Sequence, residues 1–137
     1  MNSINPTSEV LDDEWLARYI FSSRHFRPSD LTVRPEAFSP PSSLEFSVSR
    51  HLERNEEELW KTGRAIGRAR PDSRLYGRAD LQAISPRSSG LNVKSAPMLD
   101  DNGHAVLVGW PPDKASQKII QLELARSAKF IPNRELE

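Results

Sequence analysis

GHAVLVGWPPDK, residues 103–114, is the stretch on which the fold turns. From His104, alternation puts Val106, Val108 and Trp110 on one face and Ala105, Leu107 and Gly109 on the other, so both faces are apolar. A strand apolar on both sides belongs in the interior of a sheet. Pro111-Pro112-Asp113 then ends the strand and can open a helix, because proline suits the first helical turn and aspartate favours its positive end. The helix expected over about 113–130 carries two stripes, Ala115/Ile119/Leu122/Ala125 and Ile120/Leu124/Ala128, which predict packing on two sides. Pro132 limits its continuation.

Working back from this strand, Pro97 to Gly103 is a polar loop, and its Asn102-Gly103 pair suits a tight hairpin turn. Leu91 to Val93 reads as a short strand, and Gln82 to Gly90, with Ser85-Pro86 inside it, as a broken helix or a loop. RLYGRADL, residues 74–81, predicts a strand preceded by a turn at Pro71-Asp72-Ser73. Asn55 followed by Glu56-Glu57-Glu58 is a helix start, with the third acid placed to close a capping box. The helix expected over about 56–69 has Leu59, Gly63 and Ile66 on one face and Arg64, Arg68 and Arg70 towards its negative end.

LEFSVSR, residues 44–50, alternates as a strand with one buried face, and Arg50 falls on the apolar parity. The segment 26–46 is interrupted by Pro28, Pro35, Pro40 and Pro41 and can hold only a short edge strand near Leu31 to Arg34, with Phe26 and Phe38 as anchors. Leu11, Trp15 and Tyr19 recur every four residues and predict a short helix, or a mobile extension, before a strand at Arg18 to Ser22. The expected fold is α+β: a small mixed or antiparallel sheet of about four to five strands, packed mainly on one side by two principal helices. Residues 1–14 read as an acidic arm, 15–132 as one domain and 133–137 as a tail.

Composition narrows the function classes. A chain of 137 residues is one ordinary domain, and the absence of cysteine excludes disulfides, thiolate metal sites and cysteine nucleophiles. No leader or long apolar run is visible, so the expectation is a cytoplasmic protein that does not engage a membrane. The net charge is zero, but 14 of the 19 basic residues are arginine, and residues 59–87 hold seven basic against two acidic ones. Such asymmetry can steer an anionic partner.

Several residues are candidates for a site. His104 reads as a general base or phosphate contact, or as a strand-start histidine held after a turn. Arg50, on the apolar face, needs a partner or an anion, or marks the strand's exit into solvent. Were their strands neighbours, Arg50, His104 and the hydroxyls of Ser47 and Ser49 would make an anion-friendly cluster. Ser22, Arg24 and His25, with Arg18 at strand spacing, form a second grouping able to bind phosphate or carboxylate. Arg78 reads as a phosphate contact or as the partner of Asp80, and Arg64, Arg68, Arg70, Arg74 and Arg78 as a cationic stripe or a solvated surface. No nucleotide-binding, hydrolase or metal-ligand motif is present, so no metal or cofactor is expected.

RADL at 78–81 and HAVLVGWPPDK at 104–114, together with LARYIFSSRHF and FSVSR, resemble a family of small bacterial proteins of unassigned function with an HAxxVGWP-type strand-to-helix motif. The resemblance spans about residues 16–130 and implies a free-standing bacterial domain, with no activity to carry over. The residues thus favour a binding or interaction protein over an enzyme, with Trp15 and Trp60 as possible contact anchors and a homodimer as one outcome. The alternatives are an enzyme or ligand-binding domain for a phosphorylated or nucleotide-like compound, with Arg50 as anion clamp and His104 or His25 as acid/base, and nucleic-acid binding through the arginines.

Overall fold

The computed structural model describes residues 8–70 and 72–134. Residues 1–7 of the expected arm, 135–137 of the tail and Pro71 of the expected turn lie outside them. The principal sheet has six antiparallel strands in the order β6-β7-β4-β1-β5-β8. These are β1 (Trp15–Ile20), β4 (Phe46–Arg50), β5 (Gly77–Gln82), β6 (Asn92–Ser95), β7 (His104–Val108) and β8 (Lys129–Pro132). A separate two-stranded ribbon pairs β2 (Phe26–Arg27) with β3 (Thr32–Val33). The helices are α1 (Glu56–Gly67), α2 (Ile84–Ser88) and α3 (Lys114–Ser127).

The α+β class is as the sequence implies, but the strand count is larger than expected. β8 accounts for the sixth strand of the sheet, and the strand expected at Arg18 to Ser22 lies earlier, as β1. Trp15–Ile20 is a strand and not the end of a helix: Leu16 and Ile20 are buried on one face while Ala17 and Tyr19 are buried on the other. The four-residue spacing of Leu11, Trp15 and Tyr19 has no helical meaning, since Leu11 and Trp15 are both exposed. At the other end, α3 stops at Ser127 and the chain turns back as β8 along β5, where a helix to 130 was expected.

β7 lies between β6 and β4, as its two apolar faces require. The loop before it is longer than a two-residue hairpin: Met98 and Asp101 form a bridge around their own turn before Asn102-Gly103 leads into the strand. α1 begins with the expected capping box, Asn55 Oδ1 accepting from Glu58 N–H at 2.8 Å and Glu58 Oε1 from Asn55 N–H at 3.0 Å. Asp113 caps α3 by accepting from Ser116 N–H at 2.9 Å.

The helices do not share one side of the sheet. The core face carries Leu16, Ile20, Phe46, Val48, Leu81, Leu107 and Phe130, and it is covered by α3 through Ile120 and Leu124 and by Phe38 of the proline-rich segment. Each fully buried side chain of this size contributes roughly 1.5–3 kcal/mol. Only one of the two α3 stripes is buried: Ile119 and Leu122 are 62% and 45% exposed. α1 lies against the opposite face, on Tyr19, whose hydroxyl donates to the Leu59 carbonyl at 2.5 Å. Gly63 makes this approach possible, because a Cβ there would stand 2.7 Å from the Tyr19 ring.

Val10 to Glu14, from the segment expected as an arm, is docked on the body. Val10 is buried in the core, and Arg87 donates to its carbonyl and to Asp12 Oδ1 at 2.7 Å.

Candidate functional site

Beside α1, the sheet face that holds Tyr19 is left partly uncovered. There β1, β4 and β7 floor a cavity of about 270 Å³. Ile66, Ala69 and Arg70 from the end of α1 and beyond form one wall, and Met98, Asp100 and Asp101 of the β6–β7 loop form the other. Ala17, Arg18, Tyr19, Phe21, Ser47, Ser49 and His104 complete it. Its walls are mainly apolar with a few convergent polar groups, the usual makeup of a small-molecule pocket.

Arg18 occupies the seam in the floor. β1 and β4 pair at Leu16↔Arg50 and Ala17↔Ser49, and their ladder goes no further. Past that point the Arg18 guanidinium donates to the Ser47 carbonyl at 3.0 Å and lies 4.1 Å from the centre of the Phe46 ring. Among the described residues no carboxylate comes within ion-pair distance of it. Burial, and then the like charge of Arg70, push its pKa down to about 10. Arg70 itself lies over the Phe21 ring, 5.0 Å from its centre. His25 shares this neighbourhood: burial, Arg18 and Arg70 hold its imidazole below the ordinary value against the opposing pull of Glu36.

The far wall carries two carboxylates, Asp100 exposed and Asp101 internal. Asp101 is buried but accepts from Ser49 Oγ at 2.6 Å, Gly103 N–H at 3.0 Å and Arg54 at 3.3 Å. Arg54 also donates to the carbonyls of Arg50 and His51 and to Thr62 Oγ1, tying the β4–α1 turn to the β6–β7 loop. His104 places Nδ1 2.7 Å from the Ala96 carbonyl and Nε2 3.0 Å from Ser47 Oγ.

The candidates read from sequence therefore separate. Ser49 and His104 are directly opposed across β4 and β7, so these two strands are neighbours. Arg50, one residue on, points to the opposite face. It is 2% exposed and donates to both oxygens of Glu14 at 2.8 and 3.0 Å, to Ser95 Oγ and to the Glu9 carbonyl. Arg78 is likewise internal: it donates to Asp80 at 3.0 Å and to both Glu56 oxygens at 3.0 and 2.8 Å, with the Trp60 ring beneath it. Ser22 Oγ accepts from Arg24 N–H at 3.2 Å, capping the short turn Ser23–His25, and Arg24 is exposed.

Of the proposed ligand-binding arginines, only Arg18 lines the cavity, and His104 joins it. Arg70, Tyr19, Phe21 and Met98 were not singled out by sequence as cavity residues. Arg18 was nominated by its strand spacing from Ser22, and it also shares strand parity with Leu16 and Ile20, the anomaly that drew attention to Arg50.

No protein-family model matches this sequence, and neither any curated protein nor any solved structure does. What the described residues define is an α+β domain with helices on both sides of an antiparallel sheet and a polar-floored, apolar-walled pocket. Among the described residues no helix is long and apolar enough to cross a membrane.

Proposed function

We propose that this protein is a binding domain for a small organic anion, a carboxylate carrying an apolar body, held in the cavity beside α1. The observation that carries the reading is Arg18: a half-buried guanidinium at the cavity floor that has, among the described residues, one carbonyl, one ring face and no carboxylate for partners. A half-buried charge gains from pairing, and an incoming carboxylate would pair it through charge-assisted hydrogen bonds in a setting where Arg70 adds attraction. Phe21, Ile66 and Met98 offer the apolar part of the ligand a surface to cover. The space of about 270 Å³ suits a small molecule.

Thermal shift and calorimetric titration against aryl and branched-alkyl carboxylates, with phosphate and sulfate alongside, test this. Saturable stabilisation by the carboxylates, lost in Arg18→Met, is expected. No response to any carboxylate, or an equal response from the variant, would overturn it.

A second reading, self-association, is favoured by α3. Ile119 and Leu122 are exposed on it, and Leu122 continues into a groove with Val33, Pro35 and Ala125. Sedimentation at high concentration tests this, and a strict monomer would end it.

A further inference from the structure

Ser47 and His104 share more than the cavity. Carbonyl oxygens only accept, so the 2.7 Å contact with Ala96 places the imidazole proton on Nδ1. Nε2 then presents its lone pair to the Ser47 hydroxyl 3.0 Å away. The result is a hydroxyl, a base that can receive its proton and a third group that orients the base, the arrangement by which serine nucleophiles are activated. A main-chain carbonyl fills the place more often taken by a carboxylate. Such a pair on a sheet face can also be two polar groups satisfying each other. Three features distinguish this one: Ser47 is exposed, both residues line the cavity, and Arg18 sets a positive charge on the carbonyl of that same serine.

We propose that Ser47 is the nucleophile and His104 the general base of an acyl-transfer site that hydrolyses small esters of apolar carboxylic acids. This rests on the pocket proposed above, since the carboxylate assigned to Arg18 is the product such a hydrolysis leaves there. Ser47 Oγ bonds to the ester carbonyl carbon as its proton passes to Nε2. The carbonyl oxygen takes up the electron pair as an oxyanion, the charge that Arg18 is placed to stabilise. The bond from carbon to the alcohol oxygen then breaks, and Nε2 returns the proton to that leaving oxygen. Water repeats the sequence: it gives a proton to Nε2 and its oxygen to the acyl carbon, and Ser47 Oγ departs with the proton. Ester and water become acid and alcohol, with no other reactant.

The test combines a fluorophosphonate probe, read by intact mass and peptide mapping, with hydrolysis of p-nitrophenyl acetate and butyrate. The expected result is one adduct on Ser47, absent in Ser47→Ala, with hydrolysis about 100-fold or more slower in His104→Gln. Circular dichroism of both variants separates loss of the site from loss of the fold, and mapping of wild-type protein stands whatever the variants do. No adduct, or an adduct on another serine, together with retained carboxylate binding, overturns the acyl-transfer site and leaves the pocket standing. An adduct on Ser47 without carboxylate binding supports the nucleophile and overturns the pocket assignment. Neither adduct nor binding overturns both.

Discussion

Arg18 donates to the Ser47 carbonyl at 3.0 Å at the point where the pairing of β1 with β4 ends. A side-chain donor there stands in for a ladder N–H, so the two strands part without leaving that acceptor unmet. The parted seam lies in the cavity floor. Arg18→Met should therefore change the stability of the ligand-free protein by less than about 1 kcal/mol, because cavity water can serve the Ser47 carbonyl in place of the guanidinium. The same variant should lose the stabilisation by carboxylate, which for wild type at a hundredfold excess over Kd is about 2.7 kcal/mol. Urea unfolding with and without ligand measures both.

Arg50 and Glu14 behave in the opposite way. Glu14→Gln removes the counter-charge of a guanidinium that is 2% exposed, and it should cost about 3–5 kcal/mol. Replacing both, as Arg50→Met with Glu14→Leu, should recover much of that loss. Chemical denaturation of the single and double variants decides, and equal losses in both would contradict it.

Stability should fall with acid in a defined window. Burial works against the Glu14 carboxylate, but hydrogen bonds from Arg50 and Leu11 N–H and the charges of Arg50 and Arg87 prevail and hold it below its ordinary 4.5. The Arg78 hydrogen bonds lower Glu56 likewise, against burial, although at 66% exposure solvent screens much of that gain. A depressed carboxylate pKa stabilises fully above the unfolded value, and this is lost as pH drops from about 4.5 through the folded value. Melts between pH 7 and 3 should show that loss, flattened in Glu14→Gln.

His25 reports on the cavity from outside. Burial, Arg18 and Arg70 hold its pKa below 6.5, so an anion that neutralises the two arginines should move its titration upward. Imidazole proton shifts followed by NMR with and without ligand measure the change. An unchanged midpoint at saturation would place the anion elsewhere.

Gly63→Ala should destabilise by about 1–3 kcal/mol, because the new methyl meets the Tyr19 ring and not a flexible side-chain end. Tyr19→Phe, which removes only the bond to the Leu59 carbonyl, should cost about 1 kcal/mol. Thermal melts rank the two.

Local chemistry was legible wherever one short segment settled it. Asn55 and Glu58 announce their capping box, Phe46 and Val48 their buried face, and the residues from Ala105 to Val108 an interior strand. The start of β1 at Trp15, ahead of the strand expected at Arg18 to Ser22, was hidden because a four-residue apolar spacing and a two-residue alternation coincide in LARYI, and only burial on both faces separates them. β8 was hidden because KFI continues an apolar helical stripe, and its pairing with Asp80, Ala79 and Arg78 is a long-range fact. For the site, sequence could nominate Arg18 and His104 singly. It could not show that Arg50 faces away from His104, since side-chain direction across paired strands depends on a register that no local pattern fixes.

The outermost strands, β6 and β8, are four residues each, with Lys94 on one and Lys129 and Pro132 on the other. A second chain laid against either rim would meet an ammonium group, and at Pro132 a position with no N–H to offer. Sheet extension, the commonest route by which β-rich domains form fibres or trade strands, is thereby obstructed at both ends. The surfaces left open to contact are those of the helices and the opening between the parted strands.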